Sequence, residues 1–143
     1  MPVLHVSVTS PLSPQEVLQR LTDFSTARAE AWAGIDEDNL IVHGTGEGWA
    51  EITEGNTLAW ERERYTWDAS AGTVSAVTLN SNIWAPGSGW NYTIMPDGTG
   101  SRVEVTAVRK GYGIRGKLVG AVLSLIGNRF ITSHTRAALA ARK

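Results

Sequence analysis

The sequence predicts an α+β fold in which a curved, seven-stranded antiparallel sheet wraps around a long C-terminal helix, in the order strand, two short helices, six strands, helix. Strand-period segments follow one another from Asn39 to Val108 with only short polar turns between them, and the remainder of the chain then changes to a helical period. A single helix cannot cover both faces of so large a sheet. The sheet must curl around it, with the two short helices closing the gap between the first and second strands.

The first strand is Val3 to Thr9, where Leu4, Val6 and Val8 alternate with His5, Ser7 and Thr9. Ser10-Pro11-Leu12 breaks it. Ser13 then serves as an N-cap, with Pro14 at the first helical position and Glu16 completing a capping box. Val17, Leu21 and Phe24 follow at helical spacing. A second short helix, Thr26 to Trp32, starts from Ser25 and ends at Gly34.

Six strands are expected next: Leu40 to Thr45, Trp49 to Thr53, Leu58 to Trp67, Val74 to Trp84, Trp90 to Met95 and Arg102 to Val108. Their turns are short enough to join neighbours as hairpins, Asp97-Gly98 being the strongest signal. Gly44-Thr45-Gly46-Glu47-Gly48 lies between antiparallel strands rather than before a helix, so it reads as a turn or bulge and not as a phosphate loop. The closing helix runs from about Gly116 to Arg142. Val119, Leu123, Ile126, Phe130, Ala137 and Ala141 fall on one side, flanked by a small-residue stripe of Gly116, Gly120 and Gly127 with His134 and Ala138. Each helical glycine costs about 0.8–1.0 kcal/mol relative to alanine, so three on one stripe imply close approach to something.

The 143 residues suit one domain, 1–143, able to form a core without staples, and 42% of them are apolar, ordinary for a globular chain. The near-balance of 13 basic and 14 acidic residues removes the broad attraction to phosphate backbones, so no nucleic-acid partner is expected. With no cysteine, the chain cannot use thiol catalysis, iron–sulfur clusters or Cys-zinc sites. His5, His43 and His134 have no metal-ligand spacing, so neither metal nor other cofactor is expected. The N-terminus lacks a signal-peptide pattern, and Leu118 to Ile126 is too short to span a bilayer, so a cytoplasmic location without integral membrane association is the expectation.

Several segments resemble the START-like (SRPBCC) superfamily, whose helix-grip, or Bet v 1-like, fold includes the birch-pollen allergens, lipid-transfer START domains and the polyketide cyclase/dehydrase group. The resemblance spans essentially the whole chain and rests on Ser13-Pro14-Gln15-Glu16-Val17 after the opening strand, Gly44-Thr45-Gly46-Glu47-Gly48, and Leu58-Ala59-Trp60-Glu61 with Tyr65-Thr66-Trp67. It also rests on Gly98-Thr99-Gly100-Ser101-Arg102-Val103 and on Arg115-Gly116-Lys117-Leu118 entering a glycine-containing helix. What it implies is a cavity between sheet and helix for sterol, lipid, polyketide or other hydrophobic molecules. The fold alone implies no activity.

Residues expected to line such a cavity come from polar and aromatic strand faces. They are Trp60, Arg62 and Arg64 in one strand, Thr78, Asn80, Asn82 and Trp84 in the next, and Trp90 and Tyr92 in the one after. Gly120, Leu123, Gly127, Phe130 and His134 are the helix contributions. The alternative for Arg62 and Arg64 is a solvent face with cross-strand charge pairs, such as an Arg with Glu61 or Glu63. No catalytic motif stands out, although His43 or His134 could act as a general base. The leading expectation is a binding protein for a hydrophobic, lipid- or polyketide-like small molecule. A polyketide cyclase/dehydrase-like enzyme and a protein-interaction or stress-related regulatory module are the alternatives. Leu118, Ala121 and Leu125 recur on the polar side of the last helix and form a candidate homodimer patch.

Overall fold

The computed structural model describes residues 3–140 and contains a seven-stranded antiparallel sheet with three α-helices. The order is β1 (Val3–Ser10), α1 (Pro14–Leu21), α2 (Ala27–Ala31), β2 (Ile41–Gly46), β3 (Trp49–Gly55), β4 (Trp60–Asp68), β5 (Thr73–Ser81), β6 (Gly89–Asp97), β7 (Gly100–Val108) and α3 (Gly113–Ala138). A 3-10 turn, Glu37–Asn39, precedes β2. Across the sheet the strands run β1-β7-β6-β5-β4-β3-β2, so the chain's first strand pairs with its last and the others form a meander. This is the expected helix-grip architecture. Ala141 and Arg142 of the expected helix lie outside the described residues. Among the described residues no helix is long and apolar enough to cross a membrane.

Local sequence signals explain most of the element boundaries. At α1, Ser13 Oγ accepts from the Glu16 amide at 3.2 Å and Glu16 Oε1 accepts from the Ser13 amide at 3.2 Å, which satisfies two otherwise orphaned N–H groups. Gly98, at φ +60°, makes the tight β6–β7 turn that Asp97-Gly98 announces. At the far end of α3, Arg20 Nη1 donates to the carbonyls of Ala138 (2.7 Å) and Ala140 (3.2 Å), placing a cation where the helix dipole is negative.

The core follows the rows of the antiparallel register. Val6, Val105, Tyr92 and Val74 stand side by side on the concave face, as do Leu4, Ala107, Trp90, Ala76 and Tyr65. Val17 and Leu21 of α1 seal one end of this face against β6 and β7. α3 rests chiefly on β1 rather than on the middle of the sheet. Gly127 makes that approach close: a Cβ added there would lie 2.6 Å from Leu4 Cδ1. Because the helix hugs one edge, the concave surface over β3, β4 and β5 is left without a helix directly upon it.

Two departures from strand alternation set the site. The β4–β5 register slips between Arg62 and Glu63, which pair with Asn80 and Thr78, so Leu79 is an extra residue. The inward phase Val74, Ala76, Thr78 therefore changes to Ser81. The strand expected to run to Trp84 also stops at Ser81. Ser81 Oγ accepts from the amides of Ile83 and Trp84, both at 3.1 Å, and folds this segment over toward Gly111, with which Trp84 forms a bridge.

Candidate functional site

The uncovered concave surface and the inner side of α3 enclose a cavity of about 420 Å³. β3 and β4 contribute Glu54, Glu61, Glu63 and Tyr65, and β6 contributes Trp90 and Tyr92. Arg28 and Trp32 enter from α2 and its C-terminal end, while Ile83 and Trp84 come from the segment after β5 and Arg109 from the end of β7. α3 supplies Leu123, Ile131, His134 and Thr135, with Val119, Val122, Ile126 and Phe130 partly exposed along the rim.

The polar end is a network of buried charges. Glu54 and Glu61 face each other across β3 and β4, a like-charge pairing that would disfavour the sheet if left alone. Arg28 takes Glu54 in a two-pronged grip, Nε to Oε2 at 3.1 Å and Nη2 to Oε1 at 3.2 Å, and also donates to Tyr65 Oη at 2.8 Å and the Leu21 carbonyl at 3.1 Å. Its ring neighbours are Phe24, Tyr65 and Trp32, 4.9, 5.2 and 5.8 Å from the guanidinium carbon. Burial opposes the charge of Arg28, but Glu54 and Tyr65 more than offset this and the guanidinium is held more firmly protonated than usual. Arg109 donates to Glu61 Oε1 at 2.9 Å and lies between the rings of Trp84 and Trp90, 5.0 and 4.7 Å away. Thr78 closes this half by donating to the same Glu61 oxygen at 2.8 Å.

Glu63 lies between these two ion pairs and belongs to neither. It is 1% exposed, and its Oε2 has no hydrogen-bond partner among the described residues. Burial pushes its carboxyl well above the ordinary range, and the Glu61 and Glu54 charges push it further in the same direction. Tyr65 and Tyr92 are likewise raised by burial, so both remain neutral phenols. Trp32 Nε1 is the other buried side-chain polar atom lacking a partner among the described residues. His134 stacks on Phe130, with centroids 5.4 Å apart, and burial lowers its pKa, favouring the neutral ring. Among the described residues no cluster of side chains could hold a metal ion.

Of the residues selected from sequence, the structure brings Trp84, Trp90, Tyr92, Leu123, Phe130 and His134 together around the cavity. The others lie elsewhere. In β4 the inward face is Glu61, Glu63 and Tyr65, so Trp60, Arg62 and Arg64 point to the convex side. There Arg62 pairs with Glu51 at 2.7 Å and Arg64 stacks over Trp49 at 4.6 Å, in the manner of the solvent-face alternative. Thr78 is buried behind Glu61 and Arg109 rather than on the cavity surface. The bulge at Leu79 turns Asn80 out to solvent, and Asn82 accepts from the Trp60 amide and donates to the Leu58 carbonyl, tying a turn together. Gly127 packs on Leu4, and Gly120 lies near the Trp84 ring, where an added Cβ would still be 4.0 Å away. His43 is exposed and bonds to Thr53 Oγ1 at 2.7 Å, outside the cavity.

Sequence reasoning missed Arg28, Trp32, Glu54, Glu61, Glu63, Tyr65 and Arg109. One signal was available in β4: the face holding Tyr65 and Trp67 is the more aromatic of the two. Nothing local announces Arg28 or Arg109, because their carboxylate partners are distant in the chain.

No protein-family model matches the chain, and no curated protein matches it. Solved structures do. TTHA0849 from Thermus thermophilus superposes with a TM-score of 0.74 at 13% identity, covering 96% of this chain and 92% of its own. The Zhui aromatase/cyclase from Streptomyces sp. R1128 gives a TM-score of 0.71 at 10% identity, over 96% and 91% of the two chains. A START superfamily protein from Mycobacterium smegmatis gives 0.66 at 10% identity, over 92% and 96%. The chain thus has the START-like helix-grip fold, and likeness at this level of identity speaks to the fold alone.

Proposed function

We propose that this helix-grip chain binds a mainly apolar small molecule in the cavity between the concave sheet and α3. The observation that carries the reading is the cavity itself: about 420 Å³, with Trp, Ile, Leu and Phe walls and a few polar groups converging from one side. Ligand sites typically have about 300–1,000 Å³ and this mixture of linings. A chain with no ligand to admit would gain by filling the space, since unfilled apolar volume costs roughly 24 cal/mol per Å³. Trp84, Trp90, Tyr92, Leu123, Phe130 and His134, joined by Trp32 and Ile83, are the residues proposed to contact the ligand. Native mass spectrometry of the protein purified from its own host tests the reading, and a retained small molecule is the expected result. Ligand-free protein that also takes up no apolar fluorescent probe would overturn it.

One observation favours a second reading, acid–base catalysis in the same cavity. Glu63 is a buried carboxyl whose pKa burial raises, beside tyrosine phenols, a combination that suits a proton donor. The sequence resemblance to the polyketide cyclase/dehydrase group suggests the reaction class, cyclisation or dehydration of a polyketide-like chain, and an aromatase/cyclase is among the similar folds. On this reading Glu63→Gln abolishes turnover of such a chain while leaving its affinity within a few-fold. Equal turnover by the folded variant removes Glu63 as the acid.

A further inference from the structure

The side of α3 turned away from the sheet is apolar along much of its length. Ile114, Leu118, Val122, Leu125, Ile126 and Phe130 are each more than half exposed, and they recur at helical spacing over about 24 Å of helix. Leu58, 72% exposed, extends this strip, because the Arg115 guanidinium donates to its carbonyl at 3.1 Å and holds it beside the first helical turn. Isolated surface leucines are ordinary, but a continuous apolar strip of this length marks a place of contact.

Charge is segregated toward the same part of the chain. The first 104 residues carry 5 basic and 14 acidic side chains, whereas the remaining 39 carry 8 basic and no acidic ones. The near-neutral total therefore conceals a strongly basic C-terminal part. Arg115, Lys117, Arg129 and Arg136 of α3 are all exposed, as is Lys110 just before it. At 100° per residue Arg115 and Arg129 fall within the apolar strip and Lys117 flanks it. Tyr112, at the N-cap, is exposed too, and an amphipathic ring of this kind suits the level of lipid headgroups.

These two properties together select the partner. A second copy paired through α3 would bring basic residues of one helix against those of the other, with no acidic side chain on either helix to offset them. A nucleic acid would take up the cations and leave the leucines in water. An anionic bilayer answers both, since leucine and isoleucine enter the acyl boundary while arginine and lysine reach the headgroups.

We propose that the outer face of α3 is a peripheral docking surface for anionic lipid bilayers, with the helix lying in the plane of the interface. Self-association of the lipid-free protein through the same strip gives way to this contact. The docked orientation has a use, because Val119, Val122, Ile126 and Phe130 belong both to the strip and to the cavity wall. The cavity mouth then opens toward the acyl chains, and an apolar molecule passes between bilayer and cavity without crossing water. The docking surface stands independently of the binding function proposed above, and only this exchange rests on it.

Co-sedimentation with vesicles tests the docking. One set is phosphatidylcholine alone and the other is equal parts of phosphatidylcholine and phosphatidylglycerol. The anionic vesicles should be bound at least roughly 30-fold more tightly at low salt, the contribution of two basic residues, and added salt should shrink the difference. Lys117→Gln with Arg129→Gln should lose roughly that factor, and Leu118→Glu with Leu125→Glu should abolish binding with an unchanged circular dichroism spectrum. The chain has no cysteine, so Leu125→Cys carries a single polarity-sensitive fluorophore, with Val77→Cys on the convex face as the control. Anionic vesicles should shift the emission to the blue at position 125 and leave position 77 unchanged. Wild-type protein that ignores anionic vesicles at low salt would overturn the proposal and leave the strip to a second copy, without touching the cavity's uptake of an apolar probe. Binding that survives Leu118→Glu with Leu125→Glu, or equal blue shifts at positions 125 and 77, would overturn it as well, since either means adsorption by charge alone.

Discussion

Glu54 and Glu61 stand directly opposite one another on β3 and β4, and each is neutralised by an arginine from a distant part of the chain. Arg28 reaches Glu54 from α2, and Arg109 reaches Glu61 from the end of β7. Two carboxylates on adjacent strands of a concave face would repel one another and disfavour burial. The arginines therefore make this inward polar surface compatible with the fold, and the cavity's chemistry depends on them.

It follows that removing one partner should do more damage than removing both. Arg28→Met leaves Glu54 buried and uncompensated, which should cost about 3–5 kcal/mol. Arg28→Met with Glu54→Leu should recover much of that loss. Urea unfolding followed by circular dichroism measures both, and a single variant within about 1 kcal/mol of wild type would mean that water reaches Glu54 freely.

Glu63 gives the protein a pH signature. Its folded-state pKa is raised by burial and by Glu61 and Glu54, with Arg109 and Arg28 opposing, while an unfolded chain titrates near 4.5. Between those two values the folded state holds a proton that the unfolded state has lost. The stabilisation is complete below about pH 4.5 and is lost as pH rises through the folded pKa. This group alone therefore contributes a slope of up to about −1.4 kcal/mol per pH unit within that window. Thermal melts at successive pH values should show Glu63→Gln gaining on wild type as pH rises. Parallel curves for the two proteins would place the Glu63 pKa in its ordinary range.

Local chemistry was legible in the sequence, and long-range chemistry was not. Ser13 with Glu16 marks α1 because a capping box is complete within four residues, and Asp97-Gly98 marks its turn for the same reason. The inward face of β4 is obscured because Glu61 and Glu63 read as solvent residues until Arg28 and Arg109 are placed beside them. Asn80 is misread because one extra residue, Leu79, reverses the alternation, and periodicity counts cannot see a bulge. The apolar pattern of α3 points toward Val119, Ile126 and Phe130, yet the face pressed most closely to the protein is Gly116, Gly120, Gly127 and Ile131. Close approach of helix to strand selects small residues, so the larger ones are displaced to the cavity rim.

The α3 glycines should accordingly differ in their tolerance of alanine. At Gly120 an added methyl meets only the Trp84 ring, at 4.0 Å, so Gly120→Ala should gain most of the roughly 0.8–1.0 kcal/mol helix-propensity difference. At Gly127 the methyl would lie 2.6 Å from Leu4 Cδ1 and 3.2 Å from Leu123 Cγ, and overpacking of about 1–3 kcal/mol should cancel or exceed that gain. Gly116 faces the Ile83 carbonyl so closely that alanine there must move backbone. Melting temperatures should rank Gly120→Ala above wild type and Gly116→Ala lowest. A stabilised Gly127→Ala would show that Leu4 moves aside without cost.

The outer face of α3 carries the last prediction. Leu118 is 63% exposed and Leu125 86%, and Ala121 and Val122 between them are also open to solvent. Leu12 is buried beside Ser10 and Ser101, and the Ser101 hydroxyl donates to the Leu12 carbonyl at 2.7 Å, so Leu12 does not cover this patch. Single exposed leucines are ordinary, but Leu118, Val122 and Leu125 follow one another at helical spacing and merge with the rim residues Ile126 and Val119 into a continuous apolar strip. A patch on one helix can meet its own copy across a two-fold axis, and the small Ala121 would allow the two helices to approach. Sedimentation velocity at micromolar concentration should therefore find dimers. Leu118→Glu combined with Leu125→Glu should leave monomers with an unchanged circular dichroism spectrum, because neither side chain takes part in the core. A wild-type monomer at that concentration would rule out the strip as a stable interface between copies.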